Sequence, residues 1–402
     1  MIGGSWRPTA TQELLLDATV GDPADAAGAW ARWRQAQDIA SLDDGSARLL
    51  PLLVPRAVLF PGDDPAWPVI RGCYRRAYFH GQMLRARAAE ATALLTGAGI
   101  ATLAMKGGAL LRYYDGNPAL RPMNDFDVLV PRERAVDAIR MLVAQGWTPA
   151  LPQPELLPDA YHSACFTSRD GLDFDLHWHV VPSNNDSAAE ASVWAAAVRC
   201  EMGGAATPDH PGAAVSSRRS VVSATLDHSG GTAIRALGAE DLLTVVCAHA
   251  AQWSPIASVR WVADSLVILR AEGDAFDWPR VVAQAARWHV VPYLTDTLRY
   301  LRDRWRVELP ATVLAQLANV SVPAVDRRAY VALGRMPGTA DYLARPWHRY
   351  RLRSREKTAL AALPGFVRYL KVTLGRSRVR DLPMEIVARF RQWQRDRAVG
   401  RR

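Results

Sequence analysis

The 402-residue sequence is poor in cysteine and has no long apolar run. Its four cysteines, Cys73, Cys165, Cys200 and Cys247, are widely spaced and form no Cys-x-x-Cys pair. That spacing excludes a disulfide scaffold and a ribbon-type zinc site. No stretch of about 18 apolar residues occurs, so no transmembrane helix is predicted. The N-terminus lacks the basic start and apolar run of a signal peptide, and we therefore expect a cytoplasmic protein with reduced thiols.

The charge is not balanced along the chain. The formal net charge is +9, and the surplus lies near the C-terminus, where residues 345–357 hold six basic side chains and residues 376–402 hold nine arginines. Such a field could attract nucleic acid, anionic lipid or a nucleoside triphosphate. A solvated helical face explains the same pattern equally well, and nothing in it is typical of a known nucleic-acid module.

A glycine pair stands at a predicted strand–helix turn. Gly107 and Gly108 follow an apolar strand predicted at 100–105 and precede a helix predicted at 108–114. Glycine allows close approach of the backbone, and the first N–H groups of a helix attract anions. The pair is therefore a candidate phosphate-binding turn, although it is weak evidence alone.

Two acids follow on the next predicted strand. Asp125 and Asp127 are two residues apart, so their side chains leave one face of the strand, while Phe126 and Val128 occupy the other. Adjacent like charges on an apolar strand are costly unless a cation lies between them. Carboxylate oxygens are the ligands that Mg²⁺ prefers, so this pair predicts a site for a hard divalent ion.

A third polar strand is predicted at 172–180. Asp173, Asp175, His177 and His179 alternate with apolar residues and share one face. A hairpin strand with a polar outer face is the simplest interpretation. A zinc site at His177 and His179 is a further alternative, although the sequence offers no cluster with the spacing of a structural zinc site.

The order of these motifs resembles the DNA polymerase β-like nucleotidyltransferase superfamily. Within it, the sequence is most similar to the uncharacterised bacterial nucleotidyltransferase family, which has Lys-Gly at the turn and Arg-Pro-Met-x-Asp-x-Asp at the acids. Lys106-Gly107 and residues 121–127 match that pattern, although the gap from the glycines to the first acid is longer than in most of the superfamily. The likeness extends from about residue 10 to about residue 305 through His249, Arg260 and Asp264.

The resemblance implies a metal-dependent transfer of a nucleoside monophosphate from an NTP, with ATP the first candidate. Asp125, Asp127 and Asp175 would be catalytic ligands of two cations, Mg²⁺ or Mn²⁺, and Asp173 is the alternative for the third position. The acceptor could be a protein, a small molecule or RNA. The alternatives are a catalytically silent nucleotide-binding or scaffold protein, and a basic interaction protein that acts through its C-terminal region.

The resemblance also implies where the nucleotide binds. Gly107 and Gly108 would hold phosphates through their backbone, with Lys106 and Arg121 as cationic contacts and His177 bonded to an acid or a phosphate oxygen. Arg121 could instead pair with a surface acid such as Asp115.

Two helical residues are further candidates. His249 is either structural or a contact to base, ribose or acceptor. Arg260 and Asp264 are spaced for an ion pair within one helix, and contact with phosphate is the alternative for Arg260.

The predicted fold is α+β, with a small mixed β-sheet nucleotidyltransferase core between N-terminal and C-terminal helical regions. We predict a helical region at 1–98, the core at 99–182, an irregular insert at 183–238, a helical domain at 239–330 and a basic helical region at 331–402. Within the insert, residues 203–220 are rich in small residues and predict a mobile loop or a lid.

Overall fold

The computed structural model describes residues 6–183, 186–201, 233–252, 258–335 and 338–399. It confirms the α+β prediction, because a seven-stranded mixed sheet is flanked by helices. The predicted loop or lid at 203–220 lies outside the described residues. No helix in the described ranges is long and apolar enough to cross a membrane.

The N-terminal region is helical, as predicted. Thr9 and Gln12 form a capping box at the start of the first helix, which satisfies two otherwise unpaired N–H groups. Gly99, with φ of +71°, reverses the chain after the fourth helix and directs it into the sheet. A 3₁₀ helix also spans Leu50–Leu59, and the four helices are α1 (Ala10–Val20), α2 (Pro23–Ala36), α3 (Asp44–Ala47) and α4 (Trp67–Gly97).

The sheet has the strand order β3-β4-β5-β2-β1-β7-β6. The β2–β5 and β1–β7 pairs are parallel, and the other neighbouring pairs are antiparallel. The strands are β1 (Leu103–Ala104), β2 (Asp125–Leu129), β3 (Thr148–Pro149), β4 (Ser163–Thr167), β5 (Asp173–His177), β6 (Val198–Glu201) and β7 (Ala233–Ala236).

Two local features differ from the sequence-based expectation. The strand predicted at 100–105 is reduced to β1, and the helix predicted at 108–114 begins earlier, as α5 (Lys106–Leu110), and continues as a 3₁₀ turn over Leu111–Tyr114. The other is the pair β6 and β7, which forms the far edge of the sheet within a stretch for which no strand was predicted. Strands of four residues are too short to give a clear alternating pattern.

The remaining helices surround the sheet and continue to the C-terminus. Buried apolar side chains form one continuous core that extends from Leu15 to Leu317, and a small separate cluster joins Ala329, Leu333 and Leu352. These helices are α6 (Ala135–Ala144), α7 (Ser187–Ala195), α8 (Ala239–Ala250), α9 (Arg260–Glu272), α10 (Trp278–Arg287), α11 (Val291–Trp305), α12 (Ala311–Asn319), α13 (Ala324–Leu333), α14 (Thr339–Arg351), α15 (Ala359–Leu374) and α16 (Leu382–Val399).

Candidate active site

The parallel pairing of β2 with β5 aligns the predicted acids. Asp125 lies opposite Asp173, and Asp127 lies opposite Asp175. Because residues two apart on a strand share a face, the four carboxyl groups leave the same side of the sheet. Phe126 and Phe174, between them, are buried on the other side. Two separate stretches of sequence therefore meet in one acidic patch.

Three side chains of this patch could hold a metal ion together. One ligand atom from each of Asp127, Asp175 and His177 lies within 4.8 Å of the others. Asp127 and His177 are almost fully buried, whereas the Asp175 side chain is 20% exposed. Asp125 lies on the same face but outside this group. Asp173 accepts a hydrogen bond from the Thr167 hydroxyl (2.8 Å), which ties it to β4.

Lys106 binds one of these acids directly. It opens α5 with a φ of +36°, a region that side chains other than glycine rarely adopt. The Nζ of Lys106 donates to Oδ1 of Asp127 at 2.6 Å, and Nε2 of His177 lies 3.0 Å from the same oxygen. A strained backbone at this position therefore places a cation on the central acid of the group.

The pKa values of the two acids of β2 are shifted in opposite directions. Burial disfavours the Asp127 carboxylate, but Lys106 and the hydrogen bond to His177 outweigh that penalty and hold its pKa below the usual range. Burial, followed by the charge of Asp127, raises the pKa of Asp125 to about 6. Asp125 is thus a carboxylate crowded by like charge, which a bound cation would relieve.

Arg121 is anchored to the helical region. Its Nη2 atom donates to Oδ2 of Asp264 at 3.0 Å, and the Tyr114 hydroxyl donates to the other oxygen at 2.7 Å. Arg260 lies 3.8 Å from Asp264, as its helical spacing predicts, and also donates to the carbonyls of Leu120 and Arg48. Arg121 therefore pairs with a buried acid on α9.

The two glycines of the turn are required by close packing. A Cβ atom at Gly108 would lie 2.5 Å from the Phe126 ring, and one at Gly107 would lie 2.7 Å from Sδ of Met123 and 3.0 Å from Nη1 of Arg121. Both residues are buried. The turn thus rests on β2 and on the residues that lead into it.

Three further side chains lie near the acids. The His162 ring is 5.4 Å from that of His177, and burial together with His177 lowers its pKa well below the ordinary value. His249, on α8, is exposed to solvent and lies close enough to Lys106 and Asp127 for their charges to act on it. Arg48 feels the charge of Asp125. Neither His162 nor Arg48 was predictable as a site residue from the sequence, because neither belongs to a motif.

His179 faces a different partner. Its Nδ1 atom lies 3.4 Å from Glu190, with both side chains buried, and it is not a member of the group that could hold a metal. The described residues therefore do not join His177 and His179 in a zinc site.

The arrangement is that of a buried carboxylate–imidazole group beside a glycine turn, a lysine and an arginine. The family of uncharacterised nucleotidyltransferases matches residues 68–306. Because this match covers more than half of the chain, the protein belongs to that family. The matched range runs from α4 to α11 and contains all candidate residues from Lys106 to Asp264. No curated protein and no solved structure matches the chain.

Proposed function

We propose that this protein transfers a nucleoside monophosphate from an NTP, with ATP the first candidate, to an acceptor by a metal-dependent reaction. The observation that carries the proposal is the convergence of Asp127, Asp175 and His177 within 4.8 Å. Membership of a nucleotidyltransferase family supports the reaction class. Asp125, on the same face, completes the predicted set of acids.

The donor set fits a divalent cation. Two carboxylates suit Mg²⁺ or Mn²⁺, and the imidazole of His177 adds a ligand that Mn²⁺ accepts readily. The raised pKa of Asp125 also fits, because like charges crowd its carboxylate where a cation would bind. A bound cation would stabilise negative charge on the transferring phosphoryl group.

The cationic side chains beside the acids, Lys106 and Arg121, would bind the phosphates. Phosphoryl transfer depends on positioning and charge stabilisation, so fixed positive groups beside the acids are needed. Arg121 is held in place by Asp264, and Lys106 is held by Asp127. Asp127, Asp175 and His177 would hold the cation, and the ammonium group of Lys106 beside them would donate to a phosphate oxygen.

The glycine turn would contribute backbone donors. The first N–H groups of a helix have no acceptor within the helix, and Gly107 and Gly108 lie in the first turn of α5. Side chains are excluded here by Met123 and Phe126. The turn would therefore bind phosphate oxygens through the backbone alone.

The test separates the proposed ligands from their neighbours. Purified protein is incubated with labelled ATP, GTP, CTP or UTP and Mg²⁺, and pyrophosphate release or labelling of an acceptor is measured. We expect Asp125→Ala, Asp127→Ala and Asp175→Ala to abolish the signal. The matched control is Asp173→Ala, because Asp173 lies on the same strand and face but is bonded to Thr167.

Binding of Mn²⁺, followed by electron paramagnetic resonance, is the second measurement. Binding in the wild type that Asp127→Ala removes supports the metal site even before an acceptor is found. Turnover that survives both Asp125→Ala and Asp127→Ala would contradict the assignment. Metal and nucleotide binding without turnover would favour the catalytically silent alternative.

A further inference from the structure

A cavity of about 570 Å³ opens next to the acids. It lies between the end of α3, the exposed side of α4, the loop before β2 and the start of α9. Its volume is large enough for a small molecule. The lining side chains that matter here are Asp44, Arg48, Arg76, His80, Asn124 and Arg260.

The cavity is strongly basic. Arg48, Arg76 and Arg260 line it, although the guanidinium of Arg260 is already bonded to the carbonyls of Leu120 and Arg48, and Asp44 is the one acid among the described lining residues. Among the described residues, no carboxylate pairs with the side chain of Arg48 or Arg76. Burial lowers the pKa of Arg48, so this charge is held at a cost that a bound anion would offset.

The cavity is connected to the acids. Asn124, in its wall, directly precedes Asp125, and Arg48 is close enough to feel the Asp125 charge. Met123 also lines the cavity, and its sulfur packs against Gly107 on the other side. Met123 therefore stands between the cavity and the glycine turn.

We propose that this cavity binds the acceptor, and that the acceptor is a small molecule that carries a phosphate or carboxylate group. The inference rests on the proposed nucleotidyl transfer. Arg48 and Arg76 would bind the anionic group, and the nucleophile of the acceptor would then face Asp125. The triphosphate has its own cations, Lys106 and Arg121, beyond Met123.

Inorganic phosphate is the probe, and citrate is the parallel probe for a carboxylate. Each is titrated calorimetrically into the full-length protein, with and without Mg²⁺ and a non-hydrolysable ATP analogue. We expect binding in both conditions, with the analogue present or absent. Arg48→Gln and Arg76→Gln should each weaken it by about tenfold, since each removes a charge-assisted hydrogen bond. Affinity for the ATP analogue should stay within about twofold of wild type.

Arg71→Gln is the matched control, because Arg71 is exposed on α4 but does not line the cavity. Arg76 is also exposed, so its variant keeps the fold, and a thermal melt checks this for Arg48→Gln. The stronger of the two probes identifies the anionic group.

Three results overturn the proposal. They are the absence of phosphate and citrate binding in the wild type, binding that both arginine variants leave unchanged, and competition of the probe with the ATP analogue. If the analogue itself fails to bind while phosphate still binds through Arg48 and Arg76, the proposed nucleotidyl transfer is wrong and the cavity is an anion site without the acceptor role.

Discussion

At the scale of single residues, the environment of Asp125 disfavours its ionised carboxylate. Its pKa of about 6 lies well above the ordinary value of 3.8, and burial and the charge of Asp127 are the main causes. The folded protein binds this proton more tightly than the unfolded chain does. The raised pKa therefore does not affect the free energy of unfolding below about pH 4. It lowers that free energy progressively as the pH rises to about 6, and by its full amount above that.

Asp125→Asn should stabilise the metal-free protein above about pH 7 by up to ~3 kcal/mol, since each unit of pKa is worth ~1.4 kcal/mol. The gain should vanish near pH 4. Urea unfolding at the two pH values, with a chelator present, measures it. In addition, Mg²⁺ should raise the melting temperature of the wild type more than that of the variant. A variant less stable than wild type at high pH would contradict the electrostatic account.

Gly108 provides a steric prediction. Gly108→Ala would place a methyl group against the buried Phe126 ring, and we expect a loss of about 1–3 kcal/mol in the free energy of unfolding. Gly72→Ala is the matched control, because a Cβ there meets nothing within 4 Å on the surface of α4. That change should be neutral or stabilising by up to ~1 kcal/mol. Equal effects of the two substitutions would argue against the close packing of the turn.

At the scale of elements, one acid on α9 connects the helical region to the site. Asp264 is 3% exposed and lies in contact with Arg121, which precedes β2, with Tyr114 at the end of the glycine-turn helix, and with Arg260. Burial by itself would lower the pKa of Arg121, and Asp264 more than offsets it. The position of Arg121 thus depends on how α9 packs.

Asp264→Asn should destabilise the protein by about 3–5 kcal/mol, because it leaves buried guanidinium groups without their acid. The measurement is chemical unfolding. Asp274→Asn, at an exposed position in the 3₁₀ turn that follows α9, is the control and should change little. If Asp264→Asn were as mild as the control, Arg121 would have to be held by other contacts.

The elements also show which contacts could be predicted from the sequence. Residues two apart on a strand share a face, so the polar sides of β2 and β5 were predictable from spacing, and so was the Arg260–Asp264 pair. The partner of Arg121 was not, because Asp264 is distant in sequence and the pairing depends on tertiary packing. His162 was not predictable for the same reason, because its contact with the His177 ring depends on the pairing of β4 with β5.

At the scale of the whole molecule, polar contacts help to attach the C-terminal helices to the rest of the protein. Arg355 donates to the buried Asp326 at 3.1 Å and to the carbonyl of Ser183 at 2.9 Å. Several arginines of the basic region form hydrogen bonds within the protein in this way. Arg345, for example, donates to the carbonyl of Leu333. An anionic partner for the other arginines stays a prediction.

Arg355→Gln should loosen this attachment. Among the described residues, Asp326 would keep its contact with His289, 3.0 Å away, but would lose its contact with the C-terminal region, so the C-terminal helices should detach more often. Limited chymotrypsin digestion should then cut between residues 338 and 399 faster than in wild type. Arg378→Gln, which changes an exposed arginine in the same region, is the control. If digestion of Arg355→Gln were as slow as that of wild type, other contacts, such as the Arg368–Asp159 pair, would hold these helices.

The order of strands has a consequence for how the site comes into existence. β1 pairs with β7, which lies well over a hundred residues further along the chain, and β2 pairs in parallel with β5 across α6 and β4. Contacts of such long sequence separation form slowly. In a chain still emerging from the ribosome, the acids would stay apart until β5, which ends at His177, had been made. The proposed cation site would therefore be absent from any nascent chain that stops before β5.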